Sequence, residues 1–173
     1  QEYNFTTRQR INATEKLCIG NLAATLVRPN EAILLDASTT AVAVGQALKR
    51  NPEIGELTVV TTGIWTALEM LGAPHINVIL SGGYIRTTTG SIAGSITHSI
   101  LSKLNFSKAF LGAYGITLEE GLTDSPLMEV ELKQAIIRQS AEVIAVLDGS
   151  KFGRAAVATF ASVSEISRII TDQ

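Results

Sequence analysis

The sequence holds a single cysteine, Cys18, so no intramolecular disulfide can form, and a reducing cytoplasm is the expected setting. Long apolar runs are missing too. The longest reach about five or six residues before a polar side chain interrupts, whereas a membrane-spanning helix needs about 20. The opening QEYNFTTRQR lacks the apolar middle of a secretory signal. There is little clustered positive charge: the net charge is −2, the pI is near 5.7, and the richest basic stretch, Arg8 to Lys16, holds three basic residues. Phosphate neutralisation carries much of the affinity of DNA-binding domains, so this chain is not expected to bind DNA by itself.

What is present is apolar and regularly spaced. Of 173 residues, 46% are hydrophobic, enough for one domain with a sizeable core. Ile19, Leu22, Ala23, Leu26 and Val27 fall at helical spacing, predicting a helix from about Asn12 to Arg28 that stops at Pro29. Strand-like runs follow at Ala32–Leu35, Leu57–Thr61, Asn77–Leu80, Lys108–Gly112 and Val143–Leu147. Each is apolar throughout rather than alternating, as parallel strands buried on both faces are. Helical patterns separate them: Ala41, Val44, Gly45 and Leu48 on one face, then Trp65–Leu71 and Leu127–Gln139. The reading is an α/β fold, a mainly parallel sheet flanked by helices.

In such sheets ligands bind beyond the carboxyl ends of the strands. After the first strand, Asp36 is followed by Ser38, Thr39 and Thr40 at a helix start, where free amides and the helix dipole suit an anion. Taken alone, the commoner reading is that Ser38 or Thr39 simply caps the helix. The second strand ends in Thr61-Thr62-Gly63, and the third leads to Gly82, Gly83 and Arg86. The fourth exits through Gly112 and Gly115 into a long polar connection, Tyr114–Pro126, whose glycines read as hinges. Glu129 and Lys133 lie four apart on the next helix, the spacing of a surface ion pair. The fifth strand delivers Asp148, Ser150 and Lys151. One pocket at one sheet edge accounts for all five strand ends. No G-x-G-x-x-G or G-x-x-x-x-G-K-[ST] occurs, which leaves little room for a nucleotide site.

The blocks LLDASTTAVAVGQAL, VVTTGIWTALEML, VILSGGYIRTTTGSIAG, KAFLGAYGITLEEGLTD, EVELK and VLDGSKFGRAAVATF stand in the order of the C-terminal sensor domain of DeoR-family transcriptional regulators. The resemblance runs from about Thr14 to Asp172, and it implies a fold similar to ribose-5-phosphate isomerase. It further implies an effector-binding domain for a phosphorylated sugar, controlling DNA binding by a winged helix-turn-helix placed ahead of it. Residues 1–13 then read as linker to that domain, and 14–173 as the sensor. The implied effector site is Asp36, Ser38, Thr39, Thr40, Thr61, Thr62, Gly82, Gly83, Arg86, Gly112, Gly115, Glu129, Lys133, Asp148 and Lys151. Homo-oligomers are expected, dimer or tetramer, with no metal, cofactor or membrane partner. The segment Gly112-Ala113-Tyr114-Gly115, which corresponds to the isomerase's acidic loop, has no carboxylate. Isomerisation needs a base between adjacent carbons, so a binder is expected. The alternative is a sugar-phosphate isomerase or related enzyme of the same fold.

Overall fold

The computed structural model describes residues 2–172; Gln1 and Gln173, the outer ends of the two expected segments 1–13 and 14–173, lie outside the described residues. The chain opens with α1 (Phe5–Arg10) and α2 (Ala13–Ala24), followed by β1 (Ala32–Leu35), α3 (Thr39–Lys49), β2 (Leu57–Thr61), α4 (Ile64–Met70) and β3 (Ile76–Leu80). A short hairpin, β4 (Tyr84–Arg86) and β5 (Ser91–Ala93), leads to α5 (Ser95–Leu101) and β6 (Phe106–Leu111). Then come β7 (Gly115–Thr117), β8 (Gly121–Asp124), α6 (Leu127–Arg138), β9 (Ser140–Val146), β10 (Ala158–Ala161) and β11 (Arg168–Ile170).

Six strands form one sheet in the order β11-β9-β6-β1-β2-β3, and every neighbouring pair is parallel. The reason the central strands are apolar throughout is visible in β1. Ile33 and Leu35 point into a core shared with α2, α3 and α4, while Leu34 points into a second core with α6. Alternate side chains leave on opposite faces of a strand, so a strand covered on both sides has no polar face. All five runs expected as strands lie in this sheet. The sixth, β11, carries Arg168 and has two exposed residues out of three, so its polarity hides it in the sequence.

The connection Tyr114–Pro126 is not a loose hinge. It folds as the antiparallel pair β7–β8, joined by β10 into a three-stranded sheet. Gly115 is there for closeness: a Cβ on it would lie 2.1 Å from the Arg154 carbonyl oxygen. Residues ahead of α2 are likewise ordered against the domain. Asn4 caps α1 by accepting from the Thr7 amide at 2.9 Å, and buried Phe5 stacks on Trp65 with ring centres 5.4 Å apart.

Candidate functional site

The carboxyl ends of β1, β6 and β9 open into a cleft of about 620 Å³. Its floor is set by Asp36, which follows β1 and is almost wholly buried. One carboxylate oxygen accepts from the Ser38 amide at 2.9 Å, the other from the Gly112 amide at 2.8 Å. Asp36 thereby ties the loop after β1 to the loop after β6. Gly112 is the residue this closeness requires, since a Cβ there would lie 2.6 Å from the Ser38 Cβ.

Lys133 rises from α6 to the same point. Its ammonium donates to the Gly112 carbonyl at 2.8 Å and to Asp124 at 2.7 Å, and lies 3.6 Å from Asp36. Burial alone would push this lysine down, but Asp124, Asp36 and Glu129 hold it above its ordinary value, so it stays charged. Burial pushes the Asp36 carboxyl up, and Lys133 and the Ser38 and Gly112 amides offset only part of that. Glu129, the other half of the expected (i, i+4) pair, turns instead to Arg86 at 3.0 Å. The second guanidinium nitrogen of Arg86 pairs with Glu2 at 2.7 Å, which brings the segment ahead of α1 to the cleft mouth.

At the start of α3 the Ser38 hydroxyl accepts from the Ala41 amide at 3.1 Å, an ordinary cap. The amides of Thr39 and Thr40 are first-turn donors without helix partners, and neither hydroxyl bonds to another described residue. Both threonines border the cleft, at the positive end of an 11-residue helix. Across from them, Asp148 accepts from Asn12 at 3.0 Å and from the amide and hydroxyl of Ser150. Burial would raise the Asp148 carboxyl, yet Ser150, Lys151 and Asn12 together hold it below the ordinary carboxylate range. Lys151 is pushed down by burial and makes no ion pair with a described residue.

Ten of the fifteen residues singled out from sequence therefore border one cleft: Asp36, Ser38, Thr39, Thr40, Arg86, Gly112, Glu129, Lys133, Asp148 and Lys151. The other five do not. Thr61 is buried, with its hydroxyl accepting from the Gly63 amide at 3.0 Å, and Thr62 accepts from the Ile92 amide at 2.7 Å. Gly82 accepts from the Thr97 hydroxyl at 2.7 Å, Gly83 lies against Thr97 and Ala93, and Gly115 against Arg154. These residues hold the β4–β5 and β7–β8 hairpins that wall the cleft.

Three cleft cations escaped the strand-end argument: Arg8, Lys16 and Arg154. Lys16 had a legible signal, because it falls on the buried stripe of α2 with Ile19 and Ala23, where a lysine is out of place. Its ammonium donates to the carbonyls of Arg8 at 2.6 Å and Ile11 at 2.7 Å. Burial, with Lys151 and Arg8 nearby, brings it down to about 8 against the pull of Asp148. Arg154 stacks over Tyr114, 4.5 Å from the ring centre. Among the described residues, six cationic and five carboxylate side chains line the cleft.

A family model described as the DeoR C terminal sensor domain matches residues 11–173. The HTH-type transcriptional regulator GolR of Listeria innocua is 37% identical over 169 residues, covering 98% of this chain and 65% of that protein. The glycerol-3-phosphate regulon repressor of Escherichia coli is 31% identical over 165 residues, covering 95% and 64%. The chain thus spans just under two-thirds of the length of these relatives. Among solved structures, ribose 5-phosphate isomerase A of Methanocaldococcus jannaschii aligns with a TM-score of 0.59 at 16% identity, over 82% of this chain and 55% of that one, a likeness of fold.

Proposed function

Because the chain belongs to the DeoR C-terminal sensor-domain family, whose matched relatives are transcriptional regulators rather than enzymes, we propose that its cleft binds a phosphorylated sugar or related metabolite. Binding would control the attachment to DNA of a helix-turn-helix elsewhere in the whole cytoplasmic regulator. The observation that carries this reading is the start of α3: Thr39 and Thr40, whose amides and hydroxyls have no partner among the described residues, stand at a helix N-terminus bordering a cleft lined by cationic side chains. A cleft of about 620 Å³ has the size of a small-metabolite site. The name of one relative, a glycerol-3-phosphate regulon repressor, supports a phosphorylated ligand.

The carboxylates argue for binding rather than turnover. Asp36 is committed to two amides, Asp124 to Lys133 and Glu129 to Arg86, which leaves none of these three poised to move a proton. Arg86 offers a route for the signal. An anion that takes Arg86 from Glu2 would loosen the segment ahead of α1 and so alter how the rest of the regulator is held.

Calorimetry with pentose and hexose phosphates against the free sugars tests the reading. A phosphate ester should bind at least tenfold tighter than its sugar, and equal affinity would overturn the proposal. Lys151→Ala should weaken phosphate-ester binding severalfold while leaving the melting temperature within about 2 °C, as expected of a side chain without an ion pair.

A further inference from the structure

Charge is nearly absent from one long stretch of the chain. Between Ile64 and Ile100, Asp, Glu, Lys and Arg occur only twice, as Glu69 and Arg86, and Arg86 is turned into the cleft on Glu2 and Glu129. This stretch builds the free edge of the six-stranded sheet. β3, with the sequence INVIL, is the terminal strand, and its outer amides and carbonyls have no strand partner among the described residues. Natural edge strands are protected by a charge, a proline or a covering element. β3 has none of the first two, and its last two residues, Ile79 and Leu80, are exposed.

The surroundings repeat the pattern. Leu68 and Leu71, three residues apart at the end of α4, face outward on one side of the edge. Tyr84 on β4 and Ile96 on α5 are exposed on the hairpin and helix that follow. These six side chains are between 41% and 67% exposed. Together they present on the order of 700 Å², close to the roughly 800 Å² that each partner contributes to a stable complex. Depletion of charge at the centre is the mark of interface cores.

We propose that this edge is the contact between two copies of the chain, with β3 running antiparallel to its own copy across a twofold axis. A twofold contact brings the same patch against itself, so an apolar surface poor in charge, with Lys49 and Glu69 at its rim beside Leu71, meets its own copy. Strand pairing across that axis satisfies the outer amides and carbonyls of both copies and extends six strands to twelve. A partner of ordinary charged surface would leave ions desolvated against this patch without counter-charges.

The test is the oligomeric state of the 173-residue chain by sedimentation and light scattering, together with two outward-facing substitutions. The parent should run at twice its 18.4 kDa mass at micromolar concentration. Leu68→Glu and Ile96→Glu, one on each side of the edge, should each raise the dimer dissociation constant at least tenfold. Leu118→Glu, at an 84% exposed apolar site in the turn between β7 and β8, should leave it unchanged. Should either charged variant misfold, amide exchange in the parent decides instead. The β3 amides should exchange at least tenfold more slowly above the dissociation constant than below it. A monomeric parent at 100 µM, showing that some other partner covers the edge, overturns the proposal. So does a dimer that Leu118→Glu disrupts and the other two spare.

Discussion

Replacing Asp36 with alanine is expected to cost about 3–5 kcal/mol of stability and to lower the melting midpoint by roughly 10 °C for a chain of this length. Burial holds the Asp36 carboxyl above its ordinary range, so its ionisation by itself opposes folding. The loss comes from what the substitution strands. The Ser38 and Gly112 amides lose their acceptor, at about 1–3 kcal/mol for each buried donor, and Lys133 keeps only Asp124 and Glu129 as nearby counter-charges. Asp36→Asn should be nearly as damaging, because its amide group would point a donor at one of the two backbone donors. The check is urea or thermal unfolding of both variants beside the parent. A midpoint shift under 2 °C for Asp36→Ala would show that the two loops are not held by this carboxylate. With Lys133→Met as the second arm, a double-mutant cycle should show a coupling of about 0.5–3 kcal/mol, the range for groups in direct contact.

Asp36 also shows how far the chain could be read before its structure. The strand it follows, β1, spans Ala32–Leu35, the bounds that its apolar run predicts, and β2 does the same at Leu57–Thr61. Those strands are legible because both faces are buried, so hydrophobicity alone marks them. Each expected helix is present within a few residues, since α2, α4 and α6 each bury one face and α3 is buried on nearly every side. The misreadings share a cause, which is partnership between residues far apart in sequence. β7 and β8 are three and four residues long and glycine-led, and their third strand, β10, arrives only at Ala158. No local pattern reveals such a sheet, so 114–126 reads as a polar connection. Glu129 and Lys133 have the spacing of a surface pair, yet both are buried and each finds a partner from another element. Thr61 and Thr62 sit at a strand end like Ser38–Thr40, but the β4–β5 hairpin closes over them: Gly63 bridges Ser91, and Ile92 donates to the Thr62 carbonyl. Position at a strand end thus selects candidates, and only the chain that covers them decides which remain open.

Lys16 carries the other large expected effect, on binding rather than on folding. In the folded domain its ammonium titrates at about 8, because burial and the neighbouring Lys151 and Arg8 disfavour the charge. A phosphate dianion in the cleft would favour that charge. Below pH 8 the ammonium is already present, and above pH 6 a phosphate monoester is already a dianion, so affinity should be nearly flat between these values. Above pH 8 each binding event must draw a proton from solvent, and affinity should fall by up to tenfold per pH unit. Calorimetry with a hexose phosphate at pH 7, 8 and 9, in two buffers of different ionisation enthalpy, should show uptake approaching one proton at pH 9. Lys16→Arg keeps its charge throughout and should remove the slope, while Lys151→Arg separates the contribution of the other depressed lysine. An equal slope in the parent and in Lys16→Arg would assign the effect to another group. Simple alkaline unfolding predicts the opposite coupling. The folded value for Lys16 lies below the ordinary lysine value of 10.5, so between about pH 8 and 10.5 the unfolded chain binds more protons, and the Lys16 contribution to stability rises with pH. Affinity that falls while the melting temperature holds or climbs is therefore the signature of this lysine, and affinity and stability that fall together would rule it out.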